Sequence, residues 1–231
     1  MCTTCGCGTP EPHDHGGPTT ITLEQKVLAA NDALAEHTRA RLADRRIFAV
    51  NLMSSPGSGK TTLLERTIRD LAPRRPVAVV EGDQETALDA ERIRRTGCPV
   101  VQVNTGAGCH LDAAMLDRAL DRLNPPDGSL LFVENVGNLV CPALFDLGEG
   151  GKVVVISVTE GTDKPLKYPH MFAVADLVVI NKLDLLRYVD FDVDLCRKFV
   201  ATVAPRAEVV TLSATRGDGL ALWYTWLSSR S

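Results

Sequence analysis

The sequence lacks the long apolar runs, the leader segment and the excess of basic residues that would link it to a membrane or a nucleic acid. No apolar run approaches the roughly 18 residues of a membrane span. The first residues have neither the basic region nor the apolar core of a signal peptide, and Cys2 in place of a glycine excludes N-myristoylation. Lysine and arginine number 25 against 29 acidic residues, so at a net charge of −4 neither nucleic acid nor an anionic membrane is an expected partner.

Disulfides are not expected either, although the chain contains seven cysteines. An odd number of cysteines without a secretory leader favours reduced thiols and a cytoplasmic location. With 45% hydrophobic residues among 231, the chain can bury a large core. This composition excludes global disorder and fits one α/β domain.

The chain divides into three parts. Residues 1–20 hold three cysteines, two histidines, three prolines and four glycines without apolar periodicity, which predicts a flexible tail. Residues 21–46 predict an amphipathic N-terminal helix, in which Thr22 and Gln25 fit a capping box. The apolar positions of this helix recur at helical spacing and are Leu23, Val27, Ala30, Leu34 and Leu42. Residues 47–231 form the predicted domain.

Short runs of Val, Ile and Leu alternate with helical patterns in the domain. Runs that are apolar throughout are typical of strands buried on both faces. The predicted strands are 47–53, 77–81, 99–103, 130–133, 153–158, 177–180 and 208–212, and the predicted helices are 61–71, 86–96, 111–123, 165–173, 192–203 and 220–227. The alternation predicts an α/β fold with a mostly parallel central sheet and helices on both faces.

A glycine-rich loop follows the first predicted strand. Residues 54–62 read Ser-Ser-Pro-Gly-Ser-Gly-Lys-Thr-Thr, a Walker A motif with Ser54 in place of the usual first glycine. Such a loop curls backbone N–H groups around phosphate at a helix N-terminus, with Lys60 on the β/γ-phosphates and the Thr61 hydroxyl on Mg²⁺. The other expected phosphate-site residues are Gly57, Ser58, Gly59 and Thr62. The domain is therefore predicted to be a P-loop NTPase, the alternative being a glycine-rich turn.

Residues after the sixth predicted strand indicate which base is bound. Asn181, Lys182 and Asp184 form an N-K-x-D pattern. An aspartate can accept hydrogen bonds from both N1–H and the exocyclic amine of guanine, whereas adenine presents the opposite pattern. GTP is therefore favoured over ATP, and Ser213 with Ala214 is expected at the guanine oxygen. The alternative for Asp184 is a helix N-cap.

Two acids stand at the ends of predicted strands, at the edge where open α/β sheets bind ligands. Glu134 is expected in the Walker B role and Asp83 at the magnesium-facing position of the first switch, so that Lys60, Thr61, Asp83 and Glu134 form the catalytic group. Either acid could instead cap a helix from a loop. The sequence offers no convincing arginine finger or general base, which predicts slow intrinsic hydrolysis stimulated by a partner or by dimerisation.

Cys109, His110 and Cys141 form a second candidate site. Both segments leave strand ends through loops that contain glycine, so they can lie on the same side of the sheet. Two thiolates and an imidazole suit Zn²⁺ or Ni²⁺, and three ligands leave a coordination position open or shared. The spacing alone favours neither a metal site nor the alternative, in which two buried thiols and an unrelated histidine have no common function. Cys98 and Cys196 are expected to be packing residues.

The tail offers a third candidate site, in which Cys2, Cys5 and Cys7 place three soft donors within six residues. This set, with the terminal amine as a fourth donor, suits a square-planar Ni²⁺ site. Two histidines, His13 and His15, are weaker candidates. The alternative is a redox-active CxxC pair, but no thioredoxin-like βαβ pattern surrounds it.

Taken together, these motifs resemble the HypB family of hydrogenase nickel-incorporation GTPases, of the SIMIBI class, over nearly the whole chain. The residues that carry the resemblance are 1–7, 30–32, 54–62, 81–83, 89–92, 108–110, 134–142 and 181–184. The triple-cysteine start and the run Glu-Asn-Val-Gly-Asn-Leu-Val-Cys-Pro are specific to the family, whereas the GTPase motifs only indicate the wider class.

The resemblance implies a homodimeric, Mg²⁺-dependent GTPase that delivers nickel to the large subunit of nickel–iron hydrogenase. It implies a nickel-donating accessory protein as a further partner. By position, Cys109, His110 and Cys141 match a nickel or zinc site at the dimer interface, and Cys2, Cys5 and Cys7 match a high-affinity nickel site. Because only His13 and His15 stand where some members have a long histidine-rich stretch, delivery is favoured over storage.

Three rival functions use some of the same residues. A urease-accessory GTPase shares the fold and the nickel but lacks the cysteine-rich start. A metal-storage protein, with GTP only regulatory, would need no N-K-x-D pattern. A cobalamin-pathway GTPase chaperone leaves the tail cysteines unexplained.

Metal titration separates the two predicted sites. We expect nickel and zinc to bind the wild-type chain at two classes of site, because the tail and the domain offer independent thiolate sets. Replacing Cys2, Cys5 and Cys7 with serine should remove one class, and replacing Cys109 and His110 the other, as measured by equilibrium competition with a chelator. Loss of both classes in either variant would contradict independent sites.

Overall fold

Parallel strands form one seven-stranded sheet in the computed structural model, which describes residues 17–83, 88–106 and 108–230. The strands are β1 (Phe48–Ser54), β2 (Val77–Asp83), β3 (Val100–Asn104), β4 (Leu130–Gly137), β5 (Gly151–Ser157), β6 (Leu177–Asn181) and β7 (Glu208–Thr211). Their order is β3-β2-β4-β1-β5-β6-β7, with every neighbouring pair parallel. The predicted parallel α/β sheet of a P-loop NTPase is confirmed. The tail candidates Cys2, Cys5, Cys7, His13 and His15 lie outside the described residues.

Helices cover both faces of the sheet. They are α1 (Gly17–Asp44), α2 (Lys60–Leu71), α3 (Leu88–Arg94), α4 (Ala113–Leu123), α5 (Lys164–Lys167), α6 (Pro169–Ala173), α7 (Val193–Val203) and α8 (Leu220–Ser228). The helix predicted over 165–173 is two short helices, because Pro169 has no N–H with which to continue the first one. No helix in the described ranges is long and apolar enough to cross a membrane.

The core runs through β1, the central strand of the sheet, and its neighbour β4, both of which are buried along nearly their whole length. Every residue of β1 is buried, as its continuous apolar sequence predicts. On one face, Trp223 of α8 is fully buried and donates its indole N–H to Thr67 Oγ1 of α2 at 2.9 Å. This bond holds α8 against the helix that begins in the phosphate loop.

The helix α1 differs from the prediction in its start and in the face that packs. It begins at Gly17, so Thr22 lies inside the helix and the predicted capping box at its N-terminus is wrong. Val27 and Leu34 of the predicted apolar face are 50% and 40% exposed. The buried face consists of Asn31, Ala35, Thr38 and Leu42. Apart from Leu42, the side chains of this face are small or polar, which fits the close approach of α1 to the loop at Gly148.

Close approach of α1 to the segment before β5 requires a glycine at position 148. Gly148 has φ +81°, and a Cβ atom there would lie 2.8 Å from the Arg39 backbone nitrogen and would also meet the Ala35 carbonyl oxygen. Arg39 forms an ion pair with Asp146 at 2.7 Å beside this contact. The segment and the helix are therefore fitted to each other backbone to backbone.

We expect Gly148→Ala to destabilise the protein more than Gly128→Ala does. Both glycines have positive φ, +81° and +74°, but nothing lies within 4 Å of a Cβ added at Gly128. Gly128→Ala should therefore carry only the backbone cost of about 1–3 kcal/mol, and Gly148→Ala that cost plus the overlap with α1. Urea denaturation measures both free energies of unfolding, and equal losses would contradict the close contact.

Candidate nucleotide and metal sites

The predicted phosphate loop joins β1 to α2 and is supported by the segment that follows β6. Asn181 donates its side-chain amide to the Ser58 carbonyl at 3.0 Å, and Lys182 donates its ammonium to the Gly57 carbonyl at 2.6 Å. Gly59 has φ +95°, and a Cβ there would lie 2.6 Å from Asn181 Nδ2. The loop can therefore keep its curl only with glycine at position 59.

Ser54 holds the predicted phosphate-binding lysine. The Lys60 ammonium donates to Ser54 Oγ at 2.6 Å, and this hydroxyl in turn donates to the Ser55 carbonyl at 2.6 Å. Burial lowers the pKa of Lys60. The residue that departs from the usual Walker A pattern thus provides a hydrogen-bond acceptor for the lysine, a role that sequence analysis did not assign.

Two buried carboxylates lie side by side in the carboxyl-terminal halves of β2 and β4. The Thr61 hydroxyl donates to Glu134 Oε1 at 2.7 Å, and Glu81 is the register partner of Glu134 on the neighbouring strand. One oxygen of each acid, Oε2, is buried without a hydrogen-bond partner among the described residues. Burial raises the pKa of Glu134. Burial, and then the charge of Glu134, raise the pKa of Glu81 to about 8.

Glu134 faces a cleft of about 490 Å³ together with Lys60, Thr61 and Asp83. Carboxylate and hydroxyl oxygens are the ligands that Mg²⁺ prefers. The unpartnered oxygen of Glu134 beside the Thr61 hydroxyl therefore fits a magnesium site, and Asp83 lines the same cleft from the end of β2. The three residues predicted to hold magnesium are brought together.

The residues predicted to bind the base follow β6. Asp184 lies in a short 3₁₀ turn, Leu183–Tyr188, that begins after Lys182. Asp184 is therefore not at the N-cap of this turn. The Ser213 hydroxyl donates to Asp184 Oδ1 at 2.6 Å, while Asn181 Oδ1 accepts from the Ala214 backbone N–H at 3.1 Å. The five residues predicted for the guanine site thus meet where β6 and β7 end.

The second candidate site brings together side chains from two separate segments. The ligand atoms of Cys109, His110 and Cys141 all lie within 4.8 Å of one another. Cys109 Sγ is 2.6 Å from Cys141 Sγ and 3.7 Å from His110 Nδ1. The His110 ring stacks on Phe145 at a centroid distance of 3.9 Å. Two thiols and an imidazole so arranged can hold a Ni²⁺ or Zn²⁺ ion on three sides.

The other two described cysteines are packing residues in this geometry. Cys98 and Cys196 are buried in separate apolar clusters. Burial raises the pKa of the Cys98 thiol to about 12 and that of the Cys196 thiol to about 11. Both therefore stay protonated at neutral pH and are poor metal ligands.

Comparison with known proteins now gives the family. Residues 48–211 match the model for the CobW/HypB/UreG nucleotide-binding domain. The chain is 57% identical to the hydrogenase maturation factor HypB of Azotobacter vinelandii over 207 residues, which are 90% of this chain and 68% of the relative. The chain belongs to the HypB family.

Solved structures of HypB proteins have the same fold. The crystal structure of hydrogenase maturation factor HypB from Archaeoglobus fulgidus matches with a TM-score of 0.81 at 42% identity, covering 87% of this chain and 98% of that one. HypB from Helicobacter pylori in complex with nickel also matches with a TM-score of 0.81, at 38% identity, over 87% of this chain and 94% of that one. The predicted assignment to HypB and to the SIMIBI class is confirmed.

In this HypB family member one segment connects the two sites. Glu134, at its start, binds Thr61 of the phosphate loop, and Cys141, at its end, belongs to the metal cluster. Between them, Asn135 Oδ1 accepts from the Leu111 N–H at 3.2 Å, and Asn138 Nδ2 donates to the Cys109 carbonyl at 3.4 Å. Hydrogen bonds therefore link this segment to the nucleotide cleft at one end and to both parts of the candidate metal site at the other.

Sequence analysis gave no role to several residues that line the sites. Arg92 of α3 lines the nucleotide cleft, donates to Thr62 Oγ1 at 3.1 Å and pairs with Glu65 at 2.7 Å. Asp89 lines the cleft beside it and accepts from Arg92 at 3.2 Å. Their spacing of three on a helix was the available signal, because such residues share one face. Glu81, the register partner of Glu134, was also given no role, although it stands two positions before Asp83 on the same strand.

We expect Glu81 to make the nucleotide-free protein less stable as the pH rises. With a pKa of about 8 against an ordinary 4.5, the side chain is protonated in the folded state and ionised in the unfolded chain across this window. The free energy of unfolding should fall between these values by at most about 1.4 kcal/mol per pH unit.

Urea denaturation of Glu81→Gln without magnesium and nucleotide measures this effect. The variant should show a shallower decline and exceed the wild-type stability at pH 8, because glutamine cannot ionise, while the raised pKa of Glu134 keeps part of the decline. Glu208→Gln, at the exposed start of β7, is the matched control and should keep the decline. Equal pH dependence of Glu81→Gln and the wild type would contradict the raised pKa.

Proposed function

We propose that this chain is a GTP-hydrolysing metallochaperone that binds nickel and delivers it to the large subunit of nickel–iron hydrogenase. Membership of the HypB family, whose relatives are named hydrogenase maturation factors, supports this function. The nickel complex of the Helicobacter pylori relative supports nickel as the cargo. The observation that carries the proposal is the segment Glu134–Cys141, which has a nucleotide-site acid at one end and a metal ligand at the other.

The nucleotide half of the proposal assigns each end of GTP to its own residues. Gly57 to Thr62 cradle the phosphates, Lys60 neutralises their charge, and Asp184 reads guanine with Asn181 and Ala214 beside it. Thr61, Asp83 and Glu134 would hold Mg²⁺, which when bound would neutralise charge on the phosphate oxygens.

Hydrolysis is proposed to be slow without a partner. Among the described residues that line the cleft, Arg92 is the single arginine. Its guanidinium is already paired with Glu65 and Asp89. A paired guanidinium does not supply the mobile positive charge that an arginine finger brings to the transition state. We therefore propose that a partner or a second copy of the chain completes the site.

The metal half of the proposal assigns Cys109, His110 and Cys141 as a nickel or zinc site with one open position. An open position suits cargo, because an incoming ligand from an acceptor or a second subunit can join before the protein ligands leave. We propose Cys2, Cys5 and Cys7 as a separate nickel site. We further propose that the chain forms a homodimer in the cytoplasm, and that its partners are a nickel-donating accessory protein and the hydrogenase large subunit.

Coupling between nucleotide and metal tests this function. In a full chain with Cys2, Cys5 and Cys7 replaced by serine, nickel affinity should differ about 5-fold or more between GDP and a non-hydrolysable GTP analogue. The reason is that nucleotide contacts bias the position of Glu134 and hence of the segment that ends at Cys141. Chelator competition measures the affinities, and equal values would contradict the proposal.

A variant of the base site provides the control for this experiment. Asp184→Asn should lose guanine nucleotide binding and with it the nickel response, and a xanthosine triphosphate analogue should restore both, because xanthine presents an acceptor to the new amide. Asp190→Asn, an exposed acid nearby, should behave like the parent. A nickel response to the GTP analogue in Asp184→Asn would place the nucleotide effect outside the predicted site.

A further inference from the structure

Asn31 of α1 is a buried polar residue that the proposed function leaves without a role. The residue is 7% exposed, and its side chain makes hydrogen bonds in two directions. Asn31 Nδ2 donates to the Asp146 carbonyl at 2.8 Å, and Asn31 Oδ1 accepts from the Ala113 backbone N–H at 2.9 Å. The nitrogen and the oxygen of this one amide therefore both bind main-chain atoms of other segments.

The two partners of Asn31 lie just after the two groups of metal ligands. Ala113 is the first residue of α4 and follows His110 by three positions. Asp146 follows Cys141 by five positions and is adjacent to Phe145, whose ring stacks on His110 at 3.9 Å. One amide thus joins the segments that carry Cys109 and His110 on one side and Cys141 on the other.

Ion pairs from α1 reach the same two segments but are less able to fix them. Arg39 pairs with Asp146 at 2.7 Å, and Arg41 pairs with Asp117 of α4 at 2.9 Å. All four side chains are between 28% and 39% exposed, so solvent and side-chain freedom weaken these pairs. The bonds of Asn31 are buried and act on the backbone itself, so they fix the spacing between the segments.

We infer that Asn31 is a positioning residue for the Cys109/His110/Cys141 centre, acting as a clamp between the two ligand-bearing segments. The inference rests on the proposed metal site. The two thiols are 32 positions apart in sequence, so their mutual geometry depends on what holds the segments together. Residues that orient metal ligands without touching the metal typically change affinity 10–100-fold when replaced.

Nickel binding to variants of the full chain tests the clamp. The parent carries serine at positions 2, 5 and 7, so that only the domain site reports. Asn31→Leu removes both hydrogen bonds at similar volume, and should lower nickel affinity about 10–100-fold and alter the thiolate-to-nickel charge-transfer bands. Guanine nucleotide affinity, measured without nickel, should stay within about 2-fold, since Asn31 is not among the residues that line the cleft.

Asn31→Asp keeps the acceptor for Ala113 N–H but replaces the donor to Asp146. It should bind nickel with affinity between those of the parent and Asn31→Leu, and it provides the test if Asn31→Leu does not fold. If both variants kept the nickel affinity and the absorption bands of the parent, the inference would be overturned. If Asn31→Leu does not fold, the same result in Asn31→Asp alone would overturn it.

Two substitutions on the same buried face of α1 separate positioning from stability. Thr38→Val is matched in burial, and the Thr38 hydroxyl has no hydrogen-bond partner among the described residues, so nickel binding should not change. Leu42→Ala removes buried apolar volume and should lower the melting temperature without altering the charge-transfer bands. If Leu42→Ala lowered nickel affinity as much as Asn31→Leu, a clamp at Asn31 would be wrong. If the parent bound no nickel, the metal site under the proposed function would fail, and the clamp with it.

Discussion

Parallel pairing of β1 with β4 places the phosphate loop and the segment Glu134–Cys141 at the same edge of the sheet. The register aligns Leu52 with Glu134, so the acid emerges beside the start of α2, where Thr61 donates its hydroxyl to it. A parallel arrangement sends every strand's carboxyl end to this edge, and the loops that follow share the same space. Both candidate sites depend on this pairing, because the segment that supplies Glu134 goes on to supply Cys141.

The nucleotide end is built at the expense of stability. Glu81, Glu134 and Lys60 are each less than 10% exposed, and burial works against the charged form of all three. Buried ionisable groups are tolerated where they act on a charged ligand, and sites of this kind often have perturbed pKa values. The apolar strands around them, which are buried along nearly their whole length, offset this cost.

The sequence was sufficient for features with a short-range pattern. Apolar strand runs predicted the sheet, and the Walker A loop and the N-K-x-D pattern predicted a guanine nucleotide site. The loops that carry Cys109, His110 and Cys141 were expected only to be able to lie on the same side of the sheet, and the structure brings them together. The sequence was misleading for α1, because periodicity marks apolar residues and cannot tell which face packs. Asn31 and Ala35 are buried there since the neighbouring loop approaches closely at Gly148.

Contacts between distant positions were beyond the reach of pattern analysis. The stacking of Phe145 on His110 and the bond from Lys60 to Ser54 have no local signature, since each depends on how loops cross at the sheet edge. The same limit applies to Arg92, whose partner Glu65 lies on another helix.

The side chain of Asn181 has a consequence for how the ligand is selected. Its amide donates to the Ser58 carbonyl of the phosphate loop, and its oxygen accepts from the Ala214 N–H at the base end. A single rigid group therefore sets the separation between the place for phosphate and the place for the base. The site therefore selects a ligand by its length as well as by its contacts. A ligand gains from this preorganisation only if it reaches both ends at the fixed separation.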